Sequence, residues 1–180
     1  MAEKRVVVSL KKGNFDDEFS VLMRKVNDWL NTDATNRPDY YRKRDGNPLE
    51  EDVYDAIVQK AKRTVFEGTV KLVSRSYFPD IVANKYYGVE VKSTKKDKWV
   101  STGSSILEST RNKDVERIYM TFGKLGGSPA FITKPYEDCL SEIVVTHYPR
   151  YLINMKLEHG NTIFDKMGTV SYTHLTLPTT

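Results

Sequence analysis

Three ionisable residues in the stretch FPDIVANKYYGVEVKST, residues 78–94, have types and spacing that suit a chemical site. They are Asp80, Glu90 and Lys92. Side chains at positions i and i+2 of a strand share one face, so Glu90 and Lys92 are expected to point the same way. A turn made of residues 84–86 places Asp80 directly opposite Glu90, and directly opposed side chains on paired strands are close neighbours.

Two carboxylates held this close repel each other, whereas a divalent cation between them reverses the sign of that interaction. Mg²⁺ prefers oxygen ligands and keeps several waters, so Asp80 and Glu90 as metal ligands leave room for a phosphate oxygen and a water. The cation lowers the pKa of that water. The neighbouring Lys92 can orient the water or stabilise the negative charge that develops on the phosphate. The trio therefore predicts phosphodiester hydrolysis.

The alternative is an ordinary hairpin whose exposed face carries three charges, with a Glu90–Lys92 surface ion pair worth little energy. The pattern Pro-Asp followed by Glu-x-Lys is short and only weakly specific by itself. Its position on two predicted strands, after a helix that carries Glu50, favours the site. That helix begins near Asn47-Pro48, an N-cap residue followed by a proline in the first turn.

The stretch resembles the signature of the PD-(D/E)xK nuclease superfamily, above all that of type II restriction endonucleases. The matching residues are Pro79, Asp80, Glu90 and Lys92, and the helix GNPLEEDVYDAI resembles the leading helix of that fold, with Glu50 as the better match to its metal-assisting glutamate and Glu51 as the next. The resemblance implies an α/β (α+β) fold with a restriction-endonuclease-like core, in which a central mixed β-sheet is flanked by helices. It also implies Mg²⁺ as the cofactor, double-stranded DNA as the substrate and, commonly, a homodimer.

Two other functions fit the same residues. A DNA repair or junction-resolving nuclease uses the same fold and chemistry. A non-catalytic DNA-binding module is the alternative from another class, and the intact trio argues against it because a module without chemistry has no need for paired carboxylates.

Further basic residues are candidates for DNA contact. Lys95 and Lys96 lie in the loop after Lys92, where phosphate contact is plausible and independent of base sequence. Arg111 follows in a predicted helix, and His147 and Arg150 form a cluster able to contact base edges. For Arg111, surface charge on the predicted helix is the favoured interpretation, and for the other residues a solvated surface position is equally good.

Hydrophobic periodicity predicts the elements that position these residues. The predicted helices are at 15–30, from 47 onward and from Ser104 or Ser105 onward. The predicted strands are at 4–10, 65–74, 115–125 and 130–135, followed by a short helix and then a strand or extended segment within 135–157. Residues 31–48 are predicted to form a polar loop whose Tyr40 and Tyr41 stand among arginines, a mix able to contact phosphates and bases.

Composition limits the class of protein. The chain has 180 residues, with 28 basic and 24 acidic residues and a net charge of +4, so DNA is a permissible partner. The single cysteine, Cys139, excludes a disulfide framework and is typical of a reducing compartment. The longest apolar run, around RVVVSL, is too short to cross a bilayer, and the N-terminus has no apolar signal core. We expect a cytoplasmic protein.

The C-terminal stretch VSYTHLTLPTT has no Lys, Arg, Asp or Glu, unlike the residues before it. It resembles the translation of a transposon adaptor used in DNA sequencing libraries, matching at every position from Val170 to Thr179, and this match favours an artefact over the alternative, a native threonine-rich tail. We therefore expect residues 1–169 to form one nuclease domain that lacks a C-terminal part, and residues 170–180 to be a non-native tail.

Overall fold

The computed structural model describes residues 12–73, 77–105 and 112–168. The helices in these ranges are α1 Asp16–Asn36, α2 Pro38–Arg42, α3 Gly46–Ala61 and α4 Ile163–Lys166, together with a 3₁₀ helix at Tyr136–Cys139. The strands are β1 Lys71–Leu72, β2 Ile81–Ala83, β3 Tyr87–Thr94, β4 Val100–Ser105, β5 Arg117–Lys124, β6 Ala130–Pro135, β7 Leu140–Val145 and β8 Pro149–Asn154. None of the described helices is long and apolar enough to cross a membrane.

The strands form two sheets. The larger has the order β1-β2-β3-β5-β6, and the smaller has the order β4-β8-β7. In the larger sheet β3 and β5 are parallel, while the other neighbours are antiparallel, so this sheet is mixed. The smaller sheet is antiparallel throughout.

The larger sheet lies between two apolar clusters. On one face Val89 and Val91 of β3 pack with α1 and α3, in a cluster that includes Leu49 and Val53. On the other face Met120 and Phe122 of β5 pack against the smaller sheet. Helices therefore cover one face of the larger sheet, and the smaller sheet covers the other. The predicted class, mixed α and β with a mixed sheet, is confirmed at this level; on the second face the short helix α4 adds Phe164 to the cluster beside the smaller sheet.

Several predicted elements are confirmed. The helix predicted from residue 47 is α3, and its predicted apolar residues Leu49, Val53, Ala56, Ile57 and Ala61 are all buried. The strand predicted at 130–135 is β6, and the strand predicted at 115–125 contains β5. The short helix followed by a strand within 135–157 is also present, as the 3₁₀ helix followed by β7 and β8.

The predicted polar loop at 31–48 is wrong, because α1 continues to Asn36 and α2 follows it directly. Tertiary contacts stabilise these helices. The Asp33 carboxylate accepts hydrogen bonds from the Arg37 guanidinium and from the Tyr41 hydroxyl, and the Tyr41 ring is buried. The Tyr40 hydroxyl donates to the Asp52 carboxylate at 2.7 Å. Both tyrosine hydroxyls therefore form hydrogen bonds within the protein, and neither residue lies in an open loop.

The strand predicted at 65–74 is also wrong over most of its length, since turns follow α3 and only Lys71–Leu72 is extended. Phe66 turns inward and packs against Phe19, and Gly68 has a φ of +74° that a strand does not allow. The helix predicted from Ser104 or Ser105 is contradicted at its start, because both residues belong to β4. Its remainder at 106–111 and the strand predicted at 4–10 lie outside the described residues.

Candidate functional site

The β2–β3 hairpin places Asp80 across from Glu90. The strands pair antiparallel with Ile81 opposite Val89, and the turn between them consists of residues 84–86, of which Asn84 and Lys85 have φ values of 47° and 58°. Continuing the register by one position puts Asp80 opposite Glu90. The predicted turn and register are therefore confirmed.

Backbone contacts hold Asp80 at the entry to β2. One carboxylate oxygen, Oδ2, accepts a hydrogen bond from the Val91 N–H at 2.8 Å. The Asp80 carbonyl accepts from the Val73 N–H, also at 2.8 Å. Because Val91 is the residue after Glu90, the first bond fixes the Asp80 carboxylate beside the strand segment that carries Glu90.

Gly88 makes room for the residue that precedes Asp80. A Cβ atom at position 88 would lie 2.4 Å from Cγ of Pro79 and 2.9 Å from Cγ1 of Val115. Real Cβ atoms do not approach a proline ring so closely, and that ring cannot rotate away. The absence of a side chain at Gly88 therefore lets Pro79 pack over β3 and sets the path of the chain into Asp80.

Glu90 lies at the bottom of the site. The residue is only 4% exposed, and Nζ of Lys92 lies 3.4 Å from its Oε1. Burial raises the pKa of Glu90 well above its ordinary range, and the Asp80 carboxylate, which is within hydrogen-bonding reach, raises it further. The Lys92 ammonium acts in the opposite direction. The structure thus brings Asp80, Glu90 and Lys92 together on one face of the sheet.

That face is turned toward the smaller sheet. In the register of β3 and β5, Glu90 pairs with Met120 and Lys92 pairs with Phe122, and both partners are buried between the sheets. This apolar surrounding explains why the charged form of Glu90 is disfavoured. Asp80 and Lys92 are both partly exposed, so the site opens to solvent on their side.

The donor set fits a divalent cation. Carboxylate oxygens are the ligands that Mg²⁺ prefers, and Mg²⁺ is commonly bound by one or two carboxylates together with substrate phosphates. Asp80 and Glu90 supply two such groups within reach of each other. Repulsion between them, which raises the pKa of Glu90, is the interaction that a cation would relieve. Within residues 12–73, 77–105 and 112–168, no group of three or more His, Cys, Asp or Glu side chains is placed to hold a metal ion.

Glu50 is carried by α3 rather than by the β2–β3 hairpin that carries this pair. It lies in the first turns of α3 and is half-buried. The neighbouring Leu49 packs in the cluster between α3 and the larger sheet, on the face opposite to the one that carries Glu90. Since no group of three metal-ligating side chains is found among the described residues, Glu50 does not form a preformed cluster of three carboxylates with Asp80 and Glu90.

The candidate DNA contacts are in varied environments. Nζ of Lys95 donates to the carbonyls of Arg42 and Arg44 at 2.8 and 2.5 Å, so this lysine ties the loop after β3 to the end of α2. Lys96 is exposed. His147 is exposed in the β7–β8 turn, and Arg150 on β8 donates to the Gly103 carbonyl at 3.2 Å. Arg111 lies outside the described residues.

Sequence reasoning missed the role of Gly88. The sequence did carry a signal for this role, because a glycine inside an otherwise β-branched strand often marks the close approach of another part of the chain. Reasoning from the sequence also missed Trp99, which packs against Phe122 with a ring distance of 6.0 Å and has Nζ of Lys156 at 5.7 Å from its ring centre. No local pattern links Trp99 to residues so distant in the chain.

The chain matches no protein-family model, no curated protein and no solved structure.

Proposed function

We propose that this chain is a Mg²⁺-dependent DNA endonuclease of the restriction type that hydrolyses phosphodiester bonds. The observation that carries the proposal is the approach of the Asp80 carboxylate to the buried Glu90 carboxylate, with Lys92 beside Glu90. Double-stranded DNA as the substrate and a homodimeric assembly rest on the resemblance of these residues to the restriction endonucleases.

The environment of Glu90 favours a working site over an ordinary charged hairpin. A surface ion pair between Glu90 and Lys92 would leave both groups in water, whereas Glu90 is only 4% exposed. Burying a carboxylate next to another carboxylate costs free energy, and a cation compensates that cost only if it binds there. Pairs of this kind, in which environment strongly perturbs an ionisable group, are typical of functional sites.

Each residue has a role in the proposed reaction. Asp80 and Glu90 would hold the ion, with Asp80 oriented by the Val91 N–H. Mg²⁺ supplies Lewis-acid stabilisation of charge on the phosphate and lowers the pKa of water. Lys92 would position the attacking water and donate a hydrogen bond to the charge that develops on the phosphate. Glu50 would keep only an outer, supporting role.

The bond changes follow those of an in-line displacement. An oxygen of water adds to phosphorus while the bond from phosphorus to the 3′ oxygen breaks. The water loses a proton to solvent and the departing 3′ oxygen gains one, which leaves a 5′-phosphate and a 3′-hydroxyl. The buried, apolar surroundings of Glu90 strengthen the electrostatic contribution of each charged group here.

Nicking of supercoiled plasmid tests this function. The chain should nick plasmid DNA in Mg²⁺ and not in EDTA. Lys92→Ala should lower the rate by at least about 100-fold, since loss of a charge-stabilising group in a site of this kind typically costs this much. Lys25→Ala, which changes an exposed lysine on α1, is the matched control and should nick at the original rate. Equal rates for Lys92→Ala and the original chain would exclude the assigned role.

A further inference from the structure

The turn between β7 and β8 carries an unusual set of side chains. Val145 and Tyr148 are 82% and 60% exposed and are the two most exposed large apolar side chains in the described ranges. They are separated only by Thr146 and His147, and His147 is also exposed. Exposed apolar side chains clustered in this way mark an interaction site more often than isolated ones do.

The hairpin that presents this turn is firmly anchored. At its base, Leu140 of β7 and Ile153 of β8 are fully buried between the sheets. The Ser141 hydroxyl donates to the Leu152 carbonyl at 3.0 Å, which ties the two strands together. At the tip, the Thr146 hydroxyl donates to the Tyr148 carbonyl at 3.0 Å and closes the turn. The hairpin is thus a supported two-stranded ribbon whose tip is turned to solvent.

The charge of this region is one-sided. From Ile143 to Leu157 the sequence contains no Asp or Glu, although the whole chain has 24 acidic residues. His147 lies in the turn and Arg150 on β8 beside it, whereas Lys156 follows the end of β8 at the base of the hairpin. Such a surface suits a polyanion. A second copy of the chain, with net charge +4, is a less suitable partner for it.

We propose that the hairpin tip, Val145 to Arg150, enters the major groove of DNA and contacts base edges, so that it sets which sequences this chain prefers. The major groove admits a two-stranded β-ribbon. Val145 and Tyr148 offer apolar contact to thymine methyl groups, and His147 and Arg150 offer hydrogen bonds to purine edges. Arg150 donates to Gly103 through one nitrogen, and a guanidinium has five N–H donors in all. This inference rests on the proposed function for the identity of the partner, and it adds the element that reads sequence.

A selection experiment tests the inference. A pool of short DNA duplexes with a randomised centre is bound by the full chain in Ca²⁺, and the bound fraction is sequenced. The double variant Val145→Ser with Tyr148→Ser should reduce the enrichment of the preferred sequences by roughly tenfold, the cost of lost base contacts. The affinity of this variant for DNA of unrelated sequence, and the salt dependence of that binding, should stay nearly constant because no charge is removed. Val21→Ser, which changes an exposed valine on α1, is the matched control and should keep the original enrichment.

His147→Ala repeats the test at the tip without touching the apolar pair. If both tip variants select the same sequences as the original chain, or if the original chain selects none, the inference is overturned. The inference would also be overturned if the double variant had a lower mass in solution than the original chain and selected the same sequences. That result would assign the tip to a contact between copies of the chain. Selection without Mg²⁺-dependent plasmid nicking would contradict the proposed function and leave the inference standing. Nicking without selection would contradict the inference alone.

Discussion

The Asp80 and Glu90 carboxylates face each other across the β2–β3 pair, and Asp80 contributes to the raised pKa of Glu90. Two acidic groups in this arrangement oppose each other as long as both are charged. Proton binding at Glu90 and cation binding at the pair are therefore competing ways to relieve the same repulsion.

Cation binding should depend on pH. The pKa of Glu90 is raised above its ordinary value of 4.5, so the carboxyl group holds a proton well above that pH. A cation must displace this proton, and affinity for Mn²⁺ should rise with pH up to the raised pKa. Calorimetry in two buffers of different ionisation enthalpy should show proton release on binding. Affinity that is constant from pH 5 to pH 8, with no proton release, would contradict this linkage.

The free energy of unfolding of the metal-free protein should depend on pH in the opposite direction and fall as pH rises. A carboxyl whose pKa is raised in the folded state stabilises the fold below its unfolded pKa, near 4.5. This contribution is lost as pH rises through the folded pKa. Urea denaturation in EDTA should show the loss, and Glu90→Gln should flatten that part of the profile. An identical profile for Glu90→Gln would show that Glu90 does not titrate in this way.

Asp80→Asn should have effects of opposite sign with and without metal. In EDTA, the amide removes a charge and can donate a hydrogen bond to Glu90 while its oxygen still accepts from Val91. We expect the free energy of unfolding to rise by about 1 kcal/mol, which corresponds to roughly 2–4 °C in Tm. In Mg²⁺ at about 100 times its Kd, the original chain should gain about 2.7 kcal/mol and the variant much less.

Thermal unfolding of both proteins in EDTA and in Mg²⁺ measures this difference. Asp28→Asn, which changes an exposed aspartate on α1, controls for the loss of one carboxylate. If Mg²⁺ raised the Tm of Asp80→Asn as much as that of the original chain, the cation would bind elsewhere.

Gly88→Ala should disturb the site through Pro79. The added Cβ meets the proline ring at 2.4 Å, so Pro79 and the adjacent Asp80 must shift. Overpacking of this kind costs about 1–3 kcal/mol, and we expect plasmid nicking to fall as well. Gly103→Ala is the matched strand control, since its Cβ would lie 3.0 Å from Cδ1 of Ile153 and 3.3 Å from the Tyr151 carbonyl oxygen, both farther than the 2.4 Å contact at Gly88. Gly88→Ala should lose more stability and more nicking activity than Gly103→Ala. A larger loss for Gly103→Ala in the denaturation and nicking assays would contradict this role for Gly88.

Glu50→Gln should have a weaker effect than Asp80→Asn. Glu50 lies on α3, which packs on the sheet face opposite to the one that carries Glu90. We expect the Mn²⁺ stoichiometry to be unchanged in Glu50→Gln, with nicking reduced by roughly 10- to 100-fold, as is typical when an outer-shell group is lost. Glu18→Gln, which changes an exposed glutamate on α1, is the control. Loss of Mn²⁺ binding in Glu50→Gln would show that this glutamate is a direct ligand.

The approach of Asp80 to Glu90 could be predicted from the sequence because it depends on local rules. The length of the turn and the two-residue period of the strands fix the register, and the register fixes which side chains are opposed. The apolar stripe of α3 follows in the same way from its helical period.

The burial of Glu90 could not be predicted, because the smaller sheet that covers its face includes Tyr151 and Ile153, far along the chain. The alternating pattern of β3 made this face resemble a solvent-exposed one. Long-range packing likewise overrides local preference at Phe66, where the residues after α3 turn inward toward Phe19 instead of forming a strand.

Direct titration with Mn²⁺ tests the central claim that Asp80 and Glu90 share one cation. Calorimetry on the full chain should give one binding event that Glu90→Gln and Asp80→Asn each abolish or weaken by at least about tenfold, as expected when a ligand carboxylate is lost. Asp28→Asn should bind as the original chain does. Equal binding by the two site variants and the original chain would contradict the claim.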